Sequence, residues 1–290
     1  MKLLHATAPK FFIFLALLLG VLAPALADEP APLVFGVISS AEPSRVYAQW
    51  QPFADYISEK TGRRVKIVVP RGFDKLADII DQGQVDIFYI NSLVYYRLKD
   101  KNKAIPLAQM QNNIGAVSTR SVVFVRGDSG ITKLEQLKGE KVAFLSPMAS
   151  GGYLAPRALF YNEGIPTQEA VQEEFTQNLS SSIHKVLLGE VKAGTMCGLT
   201  YKLMSEKLDT GELTIIASSE EFAEDVIGAR PGLPADVQKI IGNALLDMDQ
   251  SEAGRKVIAS LRDMKVQKFI AYDAAKTETI TRRLLDQAKM

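Results

Sequence analysis

Residues 33–39, "LVFGVIS", form an apolar run with little polar alternation, the pattern of a strand covered on both faces. In "PSRVYAQWQPFADYISEKTG", Val46, Tyr47, Trp50, Phe53, Ala54 and Ile57 recur at helical spacing and Gly62 supplies a stop. "RVKIVVP" reads as a second strand, "FDKLADIIDQGQ" as a helix ending at Gly83, and "VDIFYI" as a third strand. Asn91 and Ser92 then stand where side-chain oxygens cap the helix "LVYYRLKD". A second series starts after residue 118. It runs "SVVFVR" (strand), "LEQLKG" (short helix), "KVAFL" (strand), "APRALFYNEG" (helix), "VQEEF" (strand), "SSSIHKVLLGEV" (helix), "KAGTMCG" (strand), "YKLMSEKL" (helix) and "LTIIAS" (strand). Alternation of this kind predicts α/β units whose binding groups gather at strand C-terminal ends.

The last stretch shows one convincing strand, in "DVIGARPGLP", and three helices, too little sheet for a domain. We therefore expect it to pack back on the first unit. That gives a discontinuous first lobe, 28–118 with 220–290, and an inserted second lobe, 119–219. Two crossings near 117–121 and 217–222 then make a hinge, with the ligand cleft between the lobes.

"SPMASGGYLAPR" joins a strand to a helix through Gly151-Gly152. The first N–H groups of a helix lack intrahelical partners and carry the positive end of its dipole, so such a turn suits an anion or a carbonyl oxygen. The spacing matches neither GxxxxGK[ST] nor GxGxxG, which removes the nucleotide phosphate loop and the dinucleotide fingerprint. The alternative at this point is purely structural: two glycines let a strand turn tightly into a helix.

Composition narrows the classes further. Thirty-four Lys+Arg against 33 Asp+Glu offer no basic surface for nucleic acid. Lys2 and Lys10 precede the apolar "FFIFLALLLGVLAPA", and the small residues Ala25 and Ala27 come just before Asp28, so residues 1–27 read as an export signal cleaved after Ala27. The single Cys, Cys197, lies far from that point, so no lipid anchor and no internal disulfide are expected, and the destination is the periplasm. His184 is the only histidine beyond the leader and reads as a partly exposed helix residue; Cys197 reads as a small buried side chain. Adjacent carboxylates, Glu173-Glu174 and Glu220-Glu221, point to opposite faces of a strand and make no acid/base pair. No catalytic set, metal site or cofactor is expected.

The blocks "SVVFVRGDSGITKLEQLKGEKVAFLSPMASGGYLAPRALFYNEGI", "FGV", "QPFADYISEKTG", "GQVDIFYINSLVYY" and "ALLDMDQSEAGRKVIASL" resemble, in order, the phosphate/phosphite/phosphonate branch of periplasmic solute-binding proteins. The resemblance implies a two-lobed type II periplasmic-binding-protein fold and delivery of a small solute to an ABC permease by a monomer. The same clamp docking on the ectodomain of a membrane sensor is the alternative. The family's ligand groups do not all carry over. Its Ser-Thr-Ser run falls on Ala149, Ser150 and Gly151, its first Tyr on Phe73, its His-Asp pair on Leu179 and Ser180, and the acid of "GEVDAG" on Lys192; only the Tyr at Tyr95 is kept. Each lost hydrogen bond to an anion forfeits about 1.5–3 kcal/mol, so phosphonate itself is disfavoured. The expected ligand contacts are Ser39, Ser40, Arg45, Phe73, Asn91, Ser92, Tyr95, Ser150, Gly151, Gly152, Tyr153 and Asn178. Tyr89, inside its strand, is expected to be core, so Tyr95 should matter more than Tyr89.

Overall fold

The computed structural model describes residues 30–39 and 41–290; the expected leader and Ser40 lie outside them. The chain begins with β1 (Leu33–Val37), α1 (Pro43–Thr61), β2 (Val65–Val68), α2 (Phe73–Asp81), β3 (Ile87–Ile90), α3 (Ser92–Asp100) and β4 (Ile105–Asn112). It continues with β5 (Ser118–Arg126), β6 (Lys141–Phe144), α4 (Ala155–Asn162), α5 (Thr167–Ala170), β7 (Gln172–Phe175), α6 (Leu179–Leu187), β8 (Ala193–Cys197), α7 (Gly198–Ser205) and β9 (Leu213–Ala223). β10 (Val226–Ala229), α8 (Ala235–Leu246), α9 (Glu252–Ser260), β11 (Val266–Ile270) and α10 (Ala274–Gln287) complete it.

Two sheets organise these elements into two lobes. The first has the order β11-β4-β10-β3-β1-β2, the second β7-β6-β8-β5-β9. β2 and β3 run parallel to β1, whereas β10 runs antiparallel to both β3 and β4. The chain passes between the sheets at 113–117 and again at 224–225. Beside those crossings β5 and β9 lie antiparallel, with Ser118 opposite Ala223 and Thr119 opposite Phe222.

Local chemistry explains α1. Pro43 occupies its first turn, Gly62 ends it at φ 65°, and Trp50, Phe53, Ala54 and Ile57 are buried on one stripe. Trp50 and Phe53 pack on Phe35 of β1 with centroid separations of 5.3 and 4.7 Å. Tyr47, counted with that stripe in the sequence, lies outside it and is 47% exposed.

Three elements differ from the sequence reading. β4 and β11 are strands that the pattern did not mark, so the final segment adds two strands to the first sheet, not one. In β4 the fully buried Gln109, between Ala108 and Met110, hides the apolar signal. β9 runs on through the polar "SSEE" to Ala223, because its backbone there pairs with β5.

Candidate functional site

A cavity of about 150 Å³ lies between the lobes. Ile38, Phe73, Tyr89, Asn91, Glu224, Asp225 and the 263–265 segment wall one side; the turn at 149–152, Met196, Cys197 and Phe222 wall the other. Of the expected ligand contacts, Phe73, Asn91, Ser150, Gly151 and Gly152 line it.

The Gly-rich turn is a single π turn, Ser150–Leu154, running into α4, with Leu154 N donating to Ala149 O across 3.0 Å. Such turns often mark functional positions. Its glycines answer a shortage of space. A Cβ on Gly151 would lie 2.5 Å from the Phe222 ring and 3.2 Å from Cys197 Cβ, and one on Gly152 would lie 2.5 Å from Leu145 Cβ. Bare backbone here lets the turn sit against β8 and β9, leaving its first N–H groups without intrahelical acceptors.

Ser150 itself is committed to a contact between the lobes. Its hydroxyl donates to Asn91 Oδ1 at 2.9 Å, accepts from Leu93 N at 3.0 Å, and lies 3.0 Å from Ser92 Oγ. Asn91 caps α3 by accepting from Leu93 N and Val94 N at 3.1 Å, and its amide donates to Met148 O at 3.0 Å. Ser92 Oγ also donates to Ala223 O at 2.9 Å. Asn91, Ser92 and Ser150 thus join the N-terminus of α3 to the turn, and Ser92 is buried behind the cavity rather than lining it.

The other expected contacts lie elsewhere. Ser39 closes a local turn, donating to Ala41 O at 2.8 Å. Arg45 is exposed and pairs with Asp263 at 2.7 Å, while Lys207 of the opposite lobe reaches the same carboxylate at 2.8 Å. Asp263 lines the cavity, so Arg45 approaches the mouth with its charge already matched. Tyr95 is buried edge-on against Tyr272 at 5.1 Å, away from the cavity. Tyr153 is packed on Phe144 and Phe175 in the core of the second lobe, where its hydroxyl donates to Glu173 at 3.1 Å and accepts from Arg157 at 2.7 Å. Asn178 caps α6 by accepting from Ser181 N. His184 is exposed on that helix.

The charged groups of the cavity were missed in the sequence. Glu224 is buried and accepts from Asn112 Nδ2 at 2.8 Å. Burial pushes its carboxyl above the usual range, against the pull of Lys265. Burial likewise raises Asp225, which the Tyr89 hydroxyl and Lys265 partly offset. Tyr89, expected to be core, lines the cavity, and its hydroxyl donates to Met110 Sδ at 3.4 Å; burial and the nearby Asp225 carboxylate raise its phenol. Lys265 extends from the opposite edge to within 3.3 Å of Cys197 Sγ. Burial works to lower its ammonium's pKa, yet Cys197, Glu224 and Asp225 together raise it, so it stays charged. Cys197 ends β8 and Glu224-Asp225 form a crossing between sheets, two placements that the strand-end rule points to. Lys265 carried no such signal.

This arrangement can enclose a small solute between the backbone of the turn, one ammonium and two carboxyl groups, Glu224 buried and Asp225 half-buried. Among the described residues no group of three or more His, Cys, Asp or Glu is placed to hold a metal ion, and no helix is long and apolar enough to cross a membrane.

Comparison with known proteins agrees with the topology. A structure of a binding-protein component of an ABC phosphonate transporter from Pseudomonas aeruginosa superposes with a TM-score of 0.79 at 21% identity, covering 90% of this chain and 87% of that one. The phosphate-import protein PhnD of Mycolicibacterium smegmatis is 24% identical over 221 residues, 72% of this chain and 69% of the relative. The tetrathionate sensor histidine kinase TtrS of Salmonella typhimurium is 25% identical over 145 residues, 49% of this chain and 24% of the kinase. The family model described as "ABC transporter, phosphonate, periplasmic substrate-binding protein" matches residues 35–277. With the two-lobed α/β fold and a cavity between its sheets, the chain therefore belongs to the phosphonate-type periplasmic substrate-binding proteins of ABC transporters.

Proposed function

We propose that this protein captures a small oxyanion or organic acid in the cavity between its lobes and presents it to an ABC permease. The observation that carries the reading is a cavity lined from both lobes, with the glycines of the turn on one side and Lys265 on the other. The lobes are 28–118 with 220–290 and 119–219, and they flex where β5 and β9 leave the second sheet. Closure around a solute then changes the outer surface that a permease reads. Phosphonate itself remains disfavoured. Phe73 offers the cavity no hydroxyl, the Ser150 hydroxyl of the turn is already bonded at the head of α3, and that of Tyr153 is held by Glu173 and Arg157.

A thermal-shift screen of the exported form against phosphate, phosphonates, carboxylates, amino acids and amines tests this, because a ligand that binds only the folded state raises Tm by mass action. The reading predicts a saturable shift with an oxyanion or organic acid. Flat curves for all of them, or a shift with amines alone, contradict it.

The similarity to a tetrathionate sensor kinase supports one further reading, in which the closed clamp docks on a membrane signalling protein. Solute-stimulated ATPase of a reconstituted permease decides for transport, whereas solute-dependent kinase activity of a partner decides for sensing.

A further inference from the structure

We propose that Lys265 is the specificity-determining residue of this cavity, and that it selects a small monocarboxylate with an apolar body. This rests on the reading that the solute binds between the lobes.

Four observations converge on Lys265. It ends a short 3-10 turn with φ 63°, a left-handed backbone that costs a lysine energy and that tends to persist where a side chain must be aimed. Its side chain lines the cavity. Among the described residues its only hydrogen-bond acceptor is the sulfur of Cys197 at 3.3 Å, a weak partner for a group with three donors. The cavity also holds it charged, because Glu224 and Asp225 act on it without forming an ion pair within 4.0 Å.

The geometry around it says what the remaining donors await. Cys197 touches both the ammonium and the turn, since a Cβ on Gly151 would lie 3.2 Å from Cys197 Cβ. An oxyanion taking the place of the thiol contact at Lys265 therefore stands beside the amides at 151–152. Glu224 and Asp225 face the same space and repel a second negative charge, which sets a dianionic head apart from a monoanionic one. Beyond this polar corner the walls are Ile38, Phe73, Phe222 and Met264, a surface for hydrocarbon. An ammonium without a salt-bridge partner among the described residues, two acids and apolar walls together describe a monocarboxylate site.

The test uses probes with one body and three heads: isovalerate (carboxylate), isovaleramide (neutral) and isobutylphosphonate (compared at about pH 9, where its second proton is mostly lost). Binding is followed by titration calorimetry and by the fluorescence of Trp50, the only tryptophan, whose ring lies 4.6 Å from that of Tyr89 in the cavity wall. Isovalerate is expected to bind at least about 10-fold tighter than either partner. Lys265→Met should abolish that preference while leaving the weak amide binding in place, and Lys265→Arg should restore part of it. Equal or tighter binding of the phosphonate overturns the inference, as does wild-type isovalerate affinity in a folded Lys265→Met protein. Failure of all three probes to bind wild type also overturns it. The cleft reading itself then stands or falls separately, on whether another solute raises Tm in the broad screen.

Discussion

At the scale of single residues, the cavity is defined by groups whose protonation the fold biases. Burial makes the folded chain hold the Glu224 proton more tightly than the unfolded chain, where a glutamate titrates near 4.5. Ionising it therefore costs folded stability, a penalty absent below pH 4.5 and growing as pH rises through the folded value. Glu224→Gln keeps an oxygen for Asn112 and removes the charge. It should raise Tm by roughly 2–4 °C at about pH 8, with the gain fading as pH falls toward the unfolded carboxylate range, read by calorimetric scans across pH. A wild-type Tm at every pH would show that the carboxyl carries no such burden. Tyr89 and Tyr95 offer a second contrast. Tyr89→Phe removes the hydroxyl facing Asp225 and should change solute affinity several-fold, while Tyr95→Phe, packed against Tyr272, should leave it unchanged. This reverses the order expected from the sequence.

At the scale of elements, the Gly-rich turn is where packing and binding meet. Gly151→Ala would drive a Cβ to 2.5 Å from the Phe222 ring, so overpacking should cost about 1–3 kcal/mol in urea denaturation. Ser150→Ala strips one hydroxyl from the contact with Asn91 Oδ1, Leu93 N and Ser92 Oγ and should cost a similar 1–3 kcal/mol, roughly, in the same measurement. The turn was legible in the sequence because its signals are local: a strand, two glycines and a helix start. The same holds for Asn91 at the head of α3 and for Pro43 and Gly62 at the ends of α1. β4 and β11 were not legible, because their strand character comes from pairing with each other across more than 150 residues of chain, Asn112 opposite Val266. Lys265 was hidden for a related reason. Nothing in "RDMKVQ" announces a left-handed lysine whose ammonium meets a cysteine from the other lobe.

At the scale of the whole molecule, the lobes are joined by more than their crossings. α10 packs on α3 of the first lobe and also on α4 and β9 of the second. Leu284 and Ala288 meet Leu93, Leu154, Ala155, Ala158 and Phe222 in one apolar cluster, and Arg157 donates to Ala288 O at 2.7 Å. Opening the cleft must therefore strain or slide this helix, in addition to parting Ser150 from Asn91. The discontinuous order of the chain explains how a single polypeptide builds such a clamp. The chain enters and leaves the second sheet through two neighbouring antiparallel strands, and after residue 225 both remaining strands, β10 and β11, join the first sheet while α10 bridges the lobes.

That clamp makes one claim testable without any substitution, because Cys197 is the only cysteine and lies in the cavity wall. The measurement is the rate of Cys197 alkylation by iodoacetamide, followed by intact mass, with and without a solute that raises Tm. The account predicts that the rate falls in proportion to occupancy as the solute fills the space between Gly151 and Lys265. A saturating, stabilising solute that leaves the alkylation rate unchanged would place binding elsewhere and contradict it.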